Sequence, residues 1–382
     1  MTLVFQSRRP GPQTHVLIIG VGGYRHLAGH PVGPPMRDPY AFGGLGQLTS
    51  PPRSALELID FFAGSDPSSW RAPLGTVDAL ISPHPADPQP RPGMRFAEPT
   101  MANIKRAFDA WCRRCSRNPD NVAILYFCGH GIEGDEQYLL ASDFGATQHR
   151  PWSNAIAIDS TIKGLWHNRA QTQCVFIDAC REAPPVIGSM PRIDAPALAV
   201  YDREQERHNI YDLVLKAVAT TERAFASPNT AAYFTKALKR ALEGAAAQED
   251  DATGEWLVTT ASITAKIHDI LAEEAPHRAP NPQPQPGRPT MLRRPPEPPV
   301  VKVLVDCVPA AANKVASMSC QSSDDPGLKF ERGTPEPTAW EVPVPAGYYT
   351  VTACFQPESG YHEARRSLLA SPPTRRPTLR VM

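Results

Sequence analysis

Two short runs hold the residues best suited to breaking a covalent bond. They are Tyr126-Phe127-Cys128-Gly129-His130-Gly131 and Phe176-Ile177-Asp178-Ala179-Cys180-Arg181. Each closes an apolar stretch of the kind that forms a buried strand, Val122–Phe127 and Cys174–Ile177. A histidine between two glycines is poorly suited to core packing, and glycines let a substrate backbone come close. A cysteine of ordinary pKa, about 8.5, is mostly thiol at neutral pH. A neighbouring imidazole takes its proton and later returns it to the leaving amine. The backbone N–H groups of Gly131 and Cys180 are candidates to stabilise the tetrahedral oxyanion. Together, His130 and Cys180 predict acyl transfer at a peptide bond. The plain alternatives are a catalytically dead relative or two buried residues, since a lone cysteine is commonly an apolar core side chain. Asp178 stands two residues before Cys180, and residues two apart in a strand share a face. It is predicted either to line the substrate pocket, where it would repel an acidic side chain, or to be a structural carboxylate that orients a loop.

The elements that must position these residues follow from periodicity. His15–Ile19 reads as a buried strand ending in a glycine turn, and Val77–Ile81 as a second strand. Val122–Phe127 is the strongest buried run, followed by Cys174–Ile177 and Leu213–Val218. Between them lie helical patterns. Ala55, Leu58, Ile59 and Phe62 follow Ser54, a cap candidate; Met101, Ile104, Phe108, Trp111 and Cys115 follow Thr100, another. Asp159 reads as the cap of a short helix through Ile162, Leu165 and Trp166. Further helices are marked by Phe234, Ala237, Leu238, Ala241 and Leu242, and by Ile263, Ile267, Ile270 and Leu271. Buried strands alternating with helices predict an α/β fold, a mostly parallel sheet with helices on both faces. In such a sheet, sites form at the carboxyl ends of the strands, where both runs fall.

On these motifs the chain resembles the caspase-like cysteine peptidases, the group of caspases and metacaspases. His130 and Cys180 are 50 positions apart, the spacing expected for caspases, and Ala179-Cys180-Arg181 matches the local signature of the nucleophile. Tyr138–Asp143, Leu213–Thr220 and Phe234–Leu242 resemble later family segments, so the likeness spans about residues 14–274. It implies a caspase-like three-layer sandwich, a Cys180–His130 dyad and protein substrates. It also implies a regulated effector, switched on by self-cleavage or by a partner in stress, defence or cell-death responses; some relatives cut pore-forming proteins. Caspases that cut after aspartate carry Gln where this chain has Asp178, and metacaspases, which prefer Arg or Lys, carry Asp. Their second acid is absent here or has moved: Arg53-Ser54-Ala55 is the best local match, and Asp38 is near in sequence. No calcium-loop pattern appears, so no metal and no cofactor is expected.

Composition narrows the class further. Lys+Arg and Asp+Glu both number 39 in 382 residues, which argues against a nucleic-acid binder or a polybasic membrane surface. No apolar run reaches the roughly 18 residues of a membrane span, and the first residues lack a secretory pattern. A soluble, cytoplasmic protein with reduced thiols is expected. Cys112 and Cys115 form a C-x-x-C without a second pair, and read as packing residues, as do Cys128 and Cys174. Gly20-Val21-Gly22-Gly23 hints at a dinucleotide loop, but Arg25 stands where the third glycine belongs.

The chain holds 43 prolines, ten of them in residues 276–299, a stretch expected to be an extended linker. It separates a peptidase domain, 1–275, from residues 300–382. There Val301, Val303 and Val305 alternate, as do Tyr349, Val351 and Ala353, which predicts a small β-sandwich-like domain. A non-catalytic scaffold binding partners through this β domain is the competing function. Residues 182–211 lack periodicity, and a loop that long is uncommon unless functional. Its charged part is either an inert surface excursion or, as the resemblance implies, the segment cut or rearranged on activation, with Arg203 and Arg207 as the cleavage sites if the specificity is basic.

Overall fold

The computed structural model describes residues 2–32, 44–88, 91–147, 149–181, 183, 193–200, 211–218, 229–276 and 281–382. The expected activation loop, with Arg203 and Arg207, and the candidate second acid Asp38 lie outside them. The elements of the first part are β1 (Thr2–Gln6), β2 (Thr14–Val21), α1 (Ser50–Gly64), β3 (Leu74–Ser82), α2 (Met101–Cys115) and β4 (Val122–Gly129). Then come β5 (Gly131–Glu133), β6 (Gln137–Leu140), β7 (Ala155–Ala157), α3 (Ile158–Leu165), β8 (Thr172–Ala179), β9 (Tyr211–Lys216), α4 (Tyr233–Arg240) and α5 (Thr260–Glu274).

Seven strands form the central sheet, in the order β1-β3-β2-β4-β8-β9 and then Gln283–Pro286. The inner five run parallel, and the two edges are antiparallel. Every residue of β2, β3, β4 and β8 is buried. That is why they read as largely apolar runs rather than alternating ones. Leu17, Ile19, Leu125, Phe127, Val175 and Ile177 point to one face, under α2 and α3. On the other face α1 comes so close that a methyl group at Gly20 would lie 2.7 Å from the Pro51 carbonyl oxygen and 2.8 Å from Ala55 Cβ. The glycine turn after β2 thus serves helix packing, since Gly22 and Gly23 are likewise crowded by Leu48, Pro52 and Pro83. The result is the expected α/β layering, a mostly parallel sheet with helices on both faces. Thr100 caps α2 as predicted, accepting from the Asn103 N–H at 3.3 Å.

Ser54 and Asp159 are not caps. Pro51 and Pro52 suit the first turn of a helix, so α1 begins at Ser50 and Ser54 lies inside it. Its buried hydroxyl accepts from the Ala232 N–H at 2.9 Å, which ties α1 to the segment entering α4. Asp159 sits in the first turn of α3 and accepts instead from Lys216 Nζ at 2.6 Å and the Gln137 N–H at 3.2 Å.

The stretch 276–299 is not wholly linker. Gln283–Pro286 pairs with β9 and extends the sheet, and Met291–Arg293 is a further short strand. Prolines without N–H donors are tolerated at such an edge. The chain divides into two compact units, Met1–Lys239 with Leu271–Leu292, and Arg240–Ile270 with Arg293–Met382. This differs from the boundaries read from proline content. Trp256 rests against the C-terminal core, and Arg293 donates to the Leu242 carbonyl at 3.0 Å.

Within the second unit lie two four-stranded sheets. In the strand Val300–Val308 buried and more exposed residues alternate, and Val301, Val303 and Val305 share a core with Met318, Val342 and Val351. Among the described residues no helix is long and apolar enough to cross a membrane.

Candidate active site

The last rung between β4 and β8 pairs Gly129 with Ala179. His130 and Cys180 are the next residue on each strand, so the sheet delivers both to one point on its carboxyl edge. The two chains remain close beyond the ladder. A methyl group at Gly131 would overlap the Cys180 carbonyl oxygen and stand 3.0 Å from Ala179 Cβ. Gln137, wholly buried, donates from Nε2 to that same carbonyl at 3.2 Å.

His130 is 8% exposed and held at both ends. Its backbone N–H donates to Tyr24 Oη at 2.7 Å, and the two rings lie 4.8 Å apart. Its ring Nε2 meets the Gly46 carbonyl oxygen at 2.8 Å. A carbonyl only accepts, so Nε2 carries the proton and, in the neutral ring, Nδ1 carries the lone pair. That tautomer suits a base acting through Nδ1. Gln47 keeps this arrangement together. Its Oε1 accepts from the Tyr24 N–H at 2.7 Å, and its Nε2 donates to the Tyr24 and Ala28 carbonyls at 3.0 and 2.9 Å. Tyr24 is fully buried, and that burial pushes its phenol well above the ordinary value, so it stays a neutral partner.

The hairpin β5–β6 sets the direction of the Gly131 N–H. The Leu140 N–H donates to the His130 carbonyl at 3.0 Å, and Gly131 stands opposite Leu139. In an antiparallel ladder this makes Gly131 and Leu139 a pair whose own donors point away from each other. The hairpin therefore does not use the Gly131 N–H.

Asp178 is 2% exposed, on the α1 and α4 face of the sheet. Its Oδ2 accepts from Thr235 Oγ1 at 2.6 Å and lies 3.4 Å from Tyr126 Oη. Burial raises its carboxyl from 3.8 to about 6, against the opposing pull of those hydroxyls. Cys128 and Cys174 are buried, as their place in apolar strands implies. Burial lifts the Cys128 thiol well above its usual value and the Cys112 thiol to about 12, which keeps both unreactive.

Tyr24, Gly46, Gln137 and Thr235 carry no sequence signal of these roles. Tyr24 and Gly46 reach His130 across 106 and 84 positions. Only their order hints at it, since the glycine turn after β2 must lie beside the end of β4.

The caspase domain family, Peptidase_C14, matches residues 93–288, just over half of the chain. The chain is 30% identical over 229 residues to an uncharacterized protein, y4kE, of Sinorhizobium fredii (strain NBRC 101917 / NGR234). That match covers 59% of this chain and 64% of the relative, so the chain spans a little under two thirds of the relative's length. Among solved structures it is similar to caspase-1 from Spodoptera frugiperda, with a TM-score of 0.37 and 11% identity, over 75% of this chain and 94% of that one. The matched region contains both strand ends and the residues that follow them, and the chain belongs to the caspase-domain family of cysteine peptidases.

Proposed function

We propose that the chain is an endopeptidase that cleaves protein substrates through a Cys180–His130 dyad. One observation carries this reading. The His130 ring is anchored through Nε2 to the Gly46 carbonyl, which leaves Nδ1 as the basic atom, one residue beyond the rung that also delivers Cys180. In the first step the Cys180 thiol passes its proton to Nδ1, and the thiolate sulfur bonds to the substrate carbonyl carbon. The oxygen takes the negative charge, and the N–H groups of Gly131 and Cys180 receive it. The imidazolium then protonates the amine as the C–N bond breaks, which leaves a thioester. Water, losing a proton to His130, attacks the thioester, and the thiol is released.

Asp178 forms the acidic side of the pocket for the residue before the scissile bond and favours basic or uncharged residues over acidic ones. A guanidinium beside it would restore its charged form. The natural role is that of a regulated effector, activated by self-cleavage in the segment around Arg203 and Arg207 or by a partner.

Cleavage of a peptide library by the purified protein tests the reading. Cys180→Ala and His130→Ala are each expected to abolish turnover while leaving the melting temperature within a few degrees. Unchanged turnover in Cys180→Ala would sink the dyad. Strict cleavage after aspartate would sink the pocket alone. A new terminus near Arg203 or Arg207 in incubated wild type, missing in Cys180→Ala, is the expected mark of self-cleavage.

A further inference from the structure

Arg181 follows the nucleophile directly, and Glu133 ends β5, three residues after His130. The guanidinium uses its fork fully. Nη2 donates to Glu133 Oε1 at 2.8 Å, and Nε donates to Oε2 at 2.9 Å. Both side chains are largely out of water, at 13% and 14% exposure. Such a bidentate pair is short, directional and little screened by salt.

Its place in the fold matters more than its strength. Between β4 and β8 the ladder stops at Gly129 and Ala179, so no sheet hydrogen bond holds the next residues in step. Beyond that rung the ion pair closes a small ring of chain that runs from His130 through β5 to Glu133, across to Arg181, and back through Cys180. The Gln137 bond to the Cys180 carbonyl lies inside the same ring.

We infer that Arg181 and Glu133 are positioning residues that set the nucleophile Cys180 against its base His130. The inference rests on the dyad reading above. Neither side chain touches the scissile bond. They act by fixing the turn that carries the sulfur, where a displacement of about 1 Å costs on the order of a hundredfold in rate. Lysine cannot replace Arg181, because a single ammonium has no fork to span both carboxylate oxygens.

The test reads the sulfur itself. Alkylation of Cys180 by iodoacetamide at pH 7 is followed by peptide mapping in the full chain, with His130→Ala as the floor. Glu133→Gln, which keeps the shape, and Arg181→Lys, which keeps the charge, are each expected to slow alkylation about tenfold, towards that floor. On a cleaved library peptide, kcat falls in step while KM stays within twofold. The swapped pair Glu133→Arg with Arg181→Glu restores part of both rates. A merely structural ion pair predicts a lower melting temperature with the alkylation rate of the folded protein within twofold of wild type, and that result overturns the inference. Arg181→Lys keeps the test open should Glu133→Gln fail to fold. Wild type and His130→Ala alkylating at equal rates would instead refute the dyad. A His130-dependent rate without any peptide cleavage would refute the endopeptidase and leave the positioning pair standing.

Discussion

His130 and Cys180 leave the sheet side by side, yet they are held by different chemistry. The histidine end is gripped by neutral groups from distant parts of the chain: the Tyr24 hydroxyl, the Gly46 carbonyl and, behind both, the Gln47 amide. The cysteine end is gripped by near neighbours of the histidine, through the Gln137 amide and the charged Arg181–Glu133 pair. The difference matches the role proposed for each residue. In the proposed cycle His130 gains and loses a proton, and a carbonyl on Nε2 accepts the same hydrogen bond in both states. A carboxylate in that place would favour the charged ring and make it a weaker acid for the leaving amine. Cys180, as the proposed nucleophile, exchanges its bonding partner without moving its backbone, so its carbonyl and the next side chain take the restraint.

Breaking the contact where the two ends meet has the largest expected effect. Gly131→Ala places a methyl group over the Cys180 carbonyl and against Ala179. The neighbours there are backbone and a packed methyl, which cannot move aside cheaply. Overpacking of this kind costs about 1–3 kcal/mol in stability. Turnover should fall by more than about a hundredfold, since the displacement acts on the proposed nucleophile. Kinetics and a urea melt of the variant check both; a variant with wild-type kcat would mean that the close approach has no bearing on the chemistry.

Tyr24→Phe acts on the histidine end alone. It removes the acceptor of the buried His130 N–H and leaves the ring contact in place. An unmet buried donor costs about 1–3 kcal/mol. A lower melting temperature is expected, with kcat reduced about tenfold and KM little changed. If KM rises while kcat holds, Tyr24 belongs to substrate binding instead.

The contrast also explains which parts of the site are legible in the sequence. His130, Gly131 and Cys180 stand in contiguous motifs just after buried strands with apolar middles, and such a run is visible without any tertiary knowledge. The restraints are not contiguous. Tyr24 and Gly46 meet His130 only once β2 lies beside β4, and no periodicity reports contacts over such separations. Ser54 shows the same limit at short range. A serine before a periodic apolar run reads as a cap, but Pro51 and Pro52 start the helix a turn earlier and turn Ser54 into a buried acceptor for Ala232. Residues 276–299 show it through composition. Proline content speaks of extended chain, and an edge strand such as Gln283–Pro286 is extended chain as well. The C-terminal β strands are legible because one side of each faces water, which prints the alternation directly in Val300–Val308.

A final pair of buried groups compares the two ends of the sheet and is expected to change the wild type least, because its members oppose each other. At the amino end, His15 is 4% exposed, with Nδ1 at 3.0 Å from Thr76 Oγ1. Burial, helped by Arg114 and Arg117, lowers its pKa from 6.5 to about 4. At the carboxyl end, burial raises Asp178 from 3.8 to about 6. Between about pH 4 and 6.5 the unfolded chain protonates His15 and the folded protein does not, so this group makes stability rise with pH. Between about pH 4 and 6 the folded protein keeps the Asp178 proton and the unfolded chain has lost it, so this group makes stability fall with pH. Each shift corresponds to a span on the order of 3 kcal/mol, and the two largely cancel. Asp178→Asn removes one side. Its stability should climb with pH from 4.5 to 6.5 more steeply than wild type, while His15→Asn should decline across the same range. Urea melts at those two values decide it. Parallel curves for wild type and Asp178→Asn would show that Asp178 holds no proton at the bottom of this window, and that its carboxylate is charged in the resting site.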